Sequence, residues 1–192
     1  MKGIDTTARN LIHTIFTASE LKRVSVYLES LTLSNGFKSR IKKIALNDQY
    51  TDAIKRNEML KLFDKENQPS VHRFFEDMFK RGEFWLFASE HFDYFDQFVQ
   101  SFQMLTEEVA LVQLVTAIEI EEDDVQKMSQ GLAQGMGKHV IIHIQVDPTI
   151  IAGAQIRMDN LVFDYSLKAK FNQFKRQWVS KLMKTSELTG RE

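Results

Sequence analysis

Cysteine is absent from this 192-residue chain, and that absence alone excludes disulfide frameworks, thiolate zinc sites, cysteine nucleophiles and thiol redox switching. A surplus of charge of either sign is missing too. Lys and Arg number 25 against 26 Asp and Glu, which removes the broad basic footprint of a nucleic-acid-binding protein. No apolar run approaches the roughly 20 residues needed to cross lipid, since stretches such as Val140 to Ile144 are broken by His or Gln. The opening residues, with Asp5, Arg9 and His13, lack the apolar stretch of a secretory signal or the look of a transit leader, so the expected source is a bacterium. Any membrane association is expected to run through partner proteins.

What the chain does have is an ordinary 43% apolar share, enough to bury the core of one large or two small domains. Before about residue 110 the apolar residues recur three and four apart. Ala8, Leu11, Ile12, Ile15 and Phe16 form one such set, Leu21, Val24, Leu28 and Leu31 another, and Val71, Phe74, Phe75, Met78 and Phe79 a third. Breaks fall at Ser34 to Gly36, at Asn47 and Asp48, before Pro69, and at Gly82, giving about six short helices. The last is expected from Leu86 to Met104, with a core-facing stripe through Phe84, Phe87, His91, Tyr94 or Phe95, Phe98 and Phe102.

Beyond residue 110 the period shifts toward two. Strands are expected within Val109 to Ile120, at Val140 to Val146, at Ala154 to Met158 and at Leu161 to Tyr165, the last two joined by an Asp159-Asn160 turn. A helix from Glu121 to Gln134, acidic in its first turn and ended by Gly135 and Gly137, lies between the first two strands. A terminal helix starts at Ser166, and Thr185 to Glu192 is a polar tail. The expected fold is α+β overall: an N-terminal six-helix bundle over residues 1–106, followed by a small C-terminal α/β domain over 107–192.

Catalytic patterns fail on spacing. A phosphate loop ending at Gly137-Lys138 would need glycine at Leu132 and Ser or Thr at His139. His139 and His143 lie about 13 Å apart along an extended strand, too far for one metal. His13, His72 and His91 occur singly among helices, the acids from Glu119 to Asp124 lack a calcium-loop glycine, and Lys38, Arg40, Lys42 and Lys43 read as a solvated helix face. No catalytic residue, cofactor, metal or small-molecule substrate is expected.

The segment from Val146 to Ser166 resembles the C-terminal signature of the ATP synthase delta subunit family, which includes the mitochondrial oligomycin-sensitivity-conferring protein. Asp147, Pro148, Ile150, Ile151, Ala152, Gly153, Ile156, Arg157, Asp164 and Ser166 fall in the family's positions. Upstream, Val115 to Ile118 and Gly137 to Val140 are similar to its strand and connection, and Ala8, Arg9, Phe16 and Ala18 to its opening helix, with Leu11 where the family has Tyr. Lys80 to Phe84 resembles the turn before its sixth helix.

The resemblance implies a non-catalytic stator subunit on the cytoplasmic face of the bacterial inner membrane, peripheral to it through the complex. The helical domain would cap the catalytic head and take N-terminal helices of alpha subunits into a groove between its first and fifth helices. The matching groove residues are Leu11, Thr14, Ile15, Phe74 and Met78. The C-terminal domain would hold the b subunits of the peripheral stalk, through Phe171, Phe174 and Trp178. Asp147, Pro148, Gly153, Asp164 and Ser166 are read as structural, Gly153 for close packing and Asp164 with Ser166 as a helix cap. A delta-like adaptor serving another complex is the alternative.

Overall fold

The computed structural model describes residues 2–89 and 92–177. Helices come first: α1 (Lys2–Ile12), α2 (Ala18–Leu33), α3 (Asn35–Ala45), α4 (Asp52–Leu60), α5 (Pro69–Lys80), a 3-10 turn at Trp85–Phe87, and α6 (Asp93–Thr106). Then follow β1 (Ala110–Thr116), α7 (Glu122–Met136), β2 (Val140–Val146), β3 (Ala154–Met158) and β4 (Leu161–Asp164). A further helix, α8, occupies residues 167–177. The chain is α+β.

Local chemistry sets the helix ends. Thr17, Ser34 and Thr51 each accept a hydrogen bond from the amide three residues on, starting α2, α3 and α4. Pro69 opens α5, where its missing N–H is of no consequence. Gly137 caps α7 in the left-handed region at φ 65°, while Gly135, expected to share that role, lies inside the helix.

The stretch from Phe84 to Met104 differs from the expected single helix. Phe92 adopts a left-handed φ of 65° and divides it into the 3-10 turn and α6. On one continuous helix Phe87 and Phe92, five residues apart, would point about 140° away from each other. The break lets both rings enter the core, where their centroids lie 6.0 Å apart. Lys38 also departs from the solvated face expected of it, since its Nζ meets Asp96 Oδ2 at 2.9 Å and ties α3 to α6.

The helices bury a core centred on Phe75, whose ring lies 4.5 Å from that of Phe63 and 5.5 Å from that of Phe87, with Phe79, Phe95, Phe98 and Phe102 fully buried around it. The sheet has the order β2-β1-β3-β4, with β1 and β2 parallel and the other pairs antiparallel. A parallel pair needs a crossover, which α7 supplies; it covers Val112, Leu114, Val140 and Ile142 with Val125.

Alternation along β2 joins the two cores. Val140 and Ile142 face α7, whereas Ile141 between them is fully buried in the core of the helices. The backbone reinforces the join, because the Ile142 amide donates to the Phe16 carbonyl at 2.8 Å and Thr17 bridges to Ile142 in parallel fashion.

Candidate partner-binding surfaces

An open cleft of about 480 Å³ runs between the end of α1 and α5, with α7 closing its far side. From α5 and its C-cap it receives Ser70, Arg73, Phe74, Asp77 and Arg81, spaced at helical repeats along one face. Asn10, His13, Thr14 and Phe16 come from α1 and the turn after it, and Gln126 and Gln130 from α7. The opposite stripe of α5, made of Val71, Phe75, Met78 and Phe79, is buried. Phe74 stands between these faces, half-buried, its ring near-parallel to that of Phe98 at 6.2 Å. The Thr14 hydroxyl donates to the Leu11 carbonyl at 2.7 Å, leaving its methyl group on an exposed residue at the cleft edge.

The five groove residues named from sequence therefore separate. Thr14 and Phe74 line the cleft. Leu11, Ile15 and Met78 are buried in the chain's own core, at most 1% exposed, so they support the walls rather than present a surface. Of the other lining residues, none of them named from sequence for the groove, Gln126 and Gln130 come from α7. Their four-residue spacing marks one face of α7, but only the tertiary fold brings that face to α1 and α5.

At the other end of the chain, β4 is an edge strand exposed along its whole length. Leu161, Val162, Phe163, Tyr165, Leu167, Phe171 and Phe174 are all more than 40% exposed, an apolar tract running from β4 into α8. Trp178 lies outside the described residues. Among the described residues no group of three or more His, Asp or Glu side chains is placed to hold a metal ion. None of the described helices is long and apolar enough to cross a membrane.

The family described as ATP synthase delta (OSCP) subunit matches residues 8–178, a span that takes in the cleft, both cores and the β4–α8 tract. The chain belongs to this family. Among its relatives, the ATP synthase subunit delta of Desulforapulum autotrophicum is 26% identical over 127 residues, covering 65% of this chain and 66% of the relative. That of Alkaliphilus metalliredigens is 32% identical over 63 residues, 33% of this chain and 35% of the relative. That of Ligilactobacillus salivarius is 26% identical over 162 residues, 77% and 87% of the two. The chain thus spans less than two thirds of the length of the first two and most of the third.

The residues read from sequence as structural hold the backbone in place after β2. Asp147 Oδ1 accepts from the hydroxyl of Thr149 at 2.7 Å and from its amide at 2.9 Å, and Pro148 sits inside that turn. These bonds, the hydroxyl's first, hold the Asp147 carboxyl below the usual carboxylate range. Gly153, at φ +91°, passes so close to β4's end that a Cβ there would fall 2.4 Å from the Tyr165 carbonyl oxygen. Asp164 Oδ1 accepts from the Ser166 amide at 2.9 Å, and Ser166 Oγ accepts from the Ala169 amide at 3.2 Å, starting α8. Hydrogen bonds from Ser166 likewise lower the Asp164 pKa.

Proposed function

We propose that this chain is the delta subunit of an F-type ATP synthase, a non-catalytic stator component that links the catalytic head to the peripheral stalk. The observation that carries this reading is the family match over residues 8–178. A rotor turning inside the head drags the head with it unless something holds it still. That task calls for affinity and stiffness, and the chain offers two separate surfaces for it. In this reading residues 1–106 act as a six-helix bundle capping the head, residues 107–192 as the stalk-binding unit, and the subunit stays peripheral on the cytoplasmic face of the bacterial inner membrane through its partners.

The α1–α5 cleft takes an amphipathic N-terminal helix of an alpha subunit. Phe74 forms its apolar wall and the Thr14 methyl lies at its edge, Leu11, Ile15 and Met78 back it from the core, and Asn10, Arg73 and Asp77 supply polar edges. The b subunits meet the tract from β4 through Phe171 and Phe174 toward Trp178. Rebuilding the synthase with and without this chain tests the function: hydrolysis uncoupled from ion pumping in its absence is the expected result, and full coupling without it refutes the reading. For the cleft, Phe74→Asp weakens binding of an alpha N-terminal peptide in calorimetry by roughly tenfold or more, the effect of charging an apolar anchor. Unchanged affinity in a folded variant removes Phe74 from the site.

A further inference from the structure

Two histidines 126 positions apart in sequence meet where the helices join the sheet. His13 follows α1, His139 immediately precedes β2, and their ring centroids are 4.9 Å apart at 61°. His139 Nε2 lies 2.7 Å from the Ile15 carbonyl oxygen. A carbonyl only accepts, so Nε2 carries the hydrogen and, in the neutral ring, Nδ1 does not. Just beyond, the Ile142 amide donates to the Phe16 carbonyl and Thr17 bridges to Ile142. Residues 15 to 17 thus lie along the outer edge of β2, held by one side-chain and one backbone hydrogen bond beside the histidine pair.

We infer that His13 and His139 form a pH-sensitive latch that holds the turn after α1 against β2 while His13 is uncharged and loosens as His13 takes up a proton. The inference goes beyond the stator reading and does not depend on it. A charged His13 ring is disfavoured where it stands, against the His139 ring and beside Arg9, so taking up a proton weakens the contact. The pair borders a cavity of about 1030 Å³ that admits solvent, and hence protons, to the joint.

The charged groups around the pair come from every neighbouring element. Arg9 on α1 and Lys138 before β2 add positive charge to the cavity; Glu107 and Glu108 after α6 and Asp159 in the β3–β4 turn add negative charge. Glu108 is engaged by Arg9 at 3.6 Å. Across the cleft His13 faces Arg73, Asp77 and Arg81 of α5. These signs nearly balance, so the pair's own repulsion, with Arg9, decides the response. Partial burial first, then His139 and Arg9, hold the His13 pKa below its ordinary 6.5. A histidine depressed in the folded state favours the uncharged latch. Its contribution is complete above pH 6.5 and is lost as pH falls through that value toward the lower folded one.

Hydrogen exchange on the full chain tests the latch. Between about pH 7.5 and about pH 5.5, after correction for intrinsic rates, protection of the Ile142 amide is expected to fall relative to core amides of α6. His13→Asn, at an exposed position, removes most of that fall. His139→Gln retains an N–H for the Ile15 carbonyl without the imidazole ring against His13, and it too flattens the profile, whereas His139→Ala lowers protection at both pH values. If the variants do not fold, the wild-type chain still decides. Equal protection at both pH values overturns the latch, as does a pH-dependent fall that persists in a folded His13→Asn chain.

Discussion

Substituting alanine for Gly153 adds one methyl group where there is no room for it. The new Cβ would lie 2.4 Å from the Tyr165 carbonyl oxygen, 2.9 Å from Ser166 Cα and 3.1 Å from the Tyr165 carbonyl carbon, all backbone atoms that cannot swing aside. The backbone φ of +91° is itself unfavourable for alanine, by about 1–2 kcal/mol. Relief requires residues 152–154 to part from 165–167, breaking the bonds from Tyr165 N to the Ala154 carbonyl (2.9 Å) and from Leu167 N to the Ala152 carbonyl (2.8 Å). At about 1 kcal/mol each, these bring the total to roughly 3–4 kcal/mol. For a chain of this size the melting temperature falls by roughly 6–16 °C if the loss is shared by the whole cooperative unit. Gly131→Ala is the control. Its Cβ meets nothing within 4 Å inside α7, and ending a helical glycine stabilises by up to about 1 kcal/mol. Calorimetry gives the melting shift, and exchange at Tyr165 and Leu167 reports the local bonds. A Gly153→Ala chain melting within about 1 °C of wild type, with both amides still protected, would refute the reasoning.

Ile141→Ala removes a fully buried side chain from the core of the helices and is expected to destabilise by about 2–5 kcal/mol, read as a shifted denaturant midpoint with an unchanged slope. Ser129→Ala deletes the buried hydroxyl that donates to the Val140 carbonyl at 2.6 Å, at a cost of about 1–2 kcal/mol by the same measurement. Acid acts on α8: the Asp164 pKa is depressed by its bonds from Ser166, so its contribution is present above the ordinary 3.8 and is lost as pH falls through the lower folded value. Acid titration of the exchange rate at the Ser166 amide follows that loss, and Asp164→Asn abolishes the dependence.

Strands and hairpin were legible because Val- and Ile-rich runs alternate, and because an Asp-Asn pair tolerates the left-handed backbone that Asp159 adopts at φ 49°. Ser166 announced the α8 cap through its residue type and place. The helix across Phe87 to Phe102 was misread because phenylalanines at near-helical spacing look the same whether one helix carries them or two segments do. The α1–α5 cleft was less legible still. Apolar periodicity points to a buried stripe, so it picked Leu11, Ile15 and Met78 from the core along with Thr14 and Phe74 from the cleft. Neither the α7 wall nor the meeting of His13 with His139 leaves a local signal, since each depends on contacts more than 50 positions apart in sequence.

Sharing β2 between the two cores means that the chain, though written in two styles, is expected to melt as one object. A fragment ending after α6 would expose the socket that Ile141 fills, and a fragment beginning at β1 would carry Ile141 as a bare greasy peg. Force applied to the helices reaches the sheet through a bonded strand rather than a slack tether, so there is little play between the two ends.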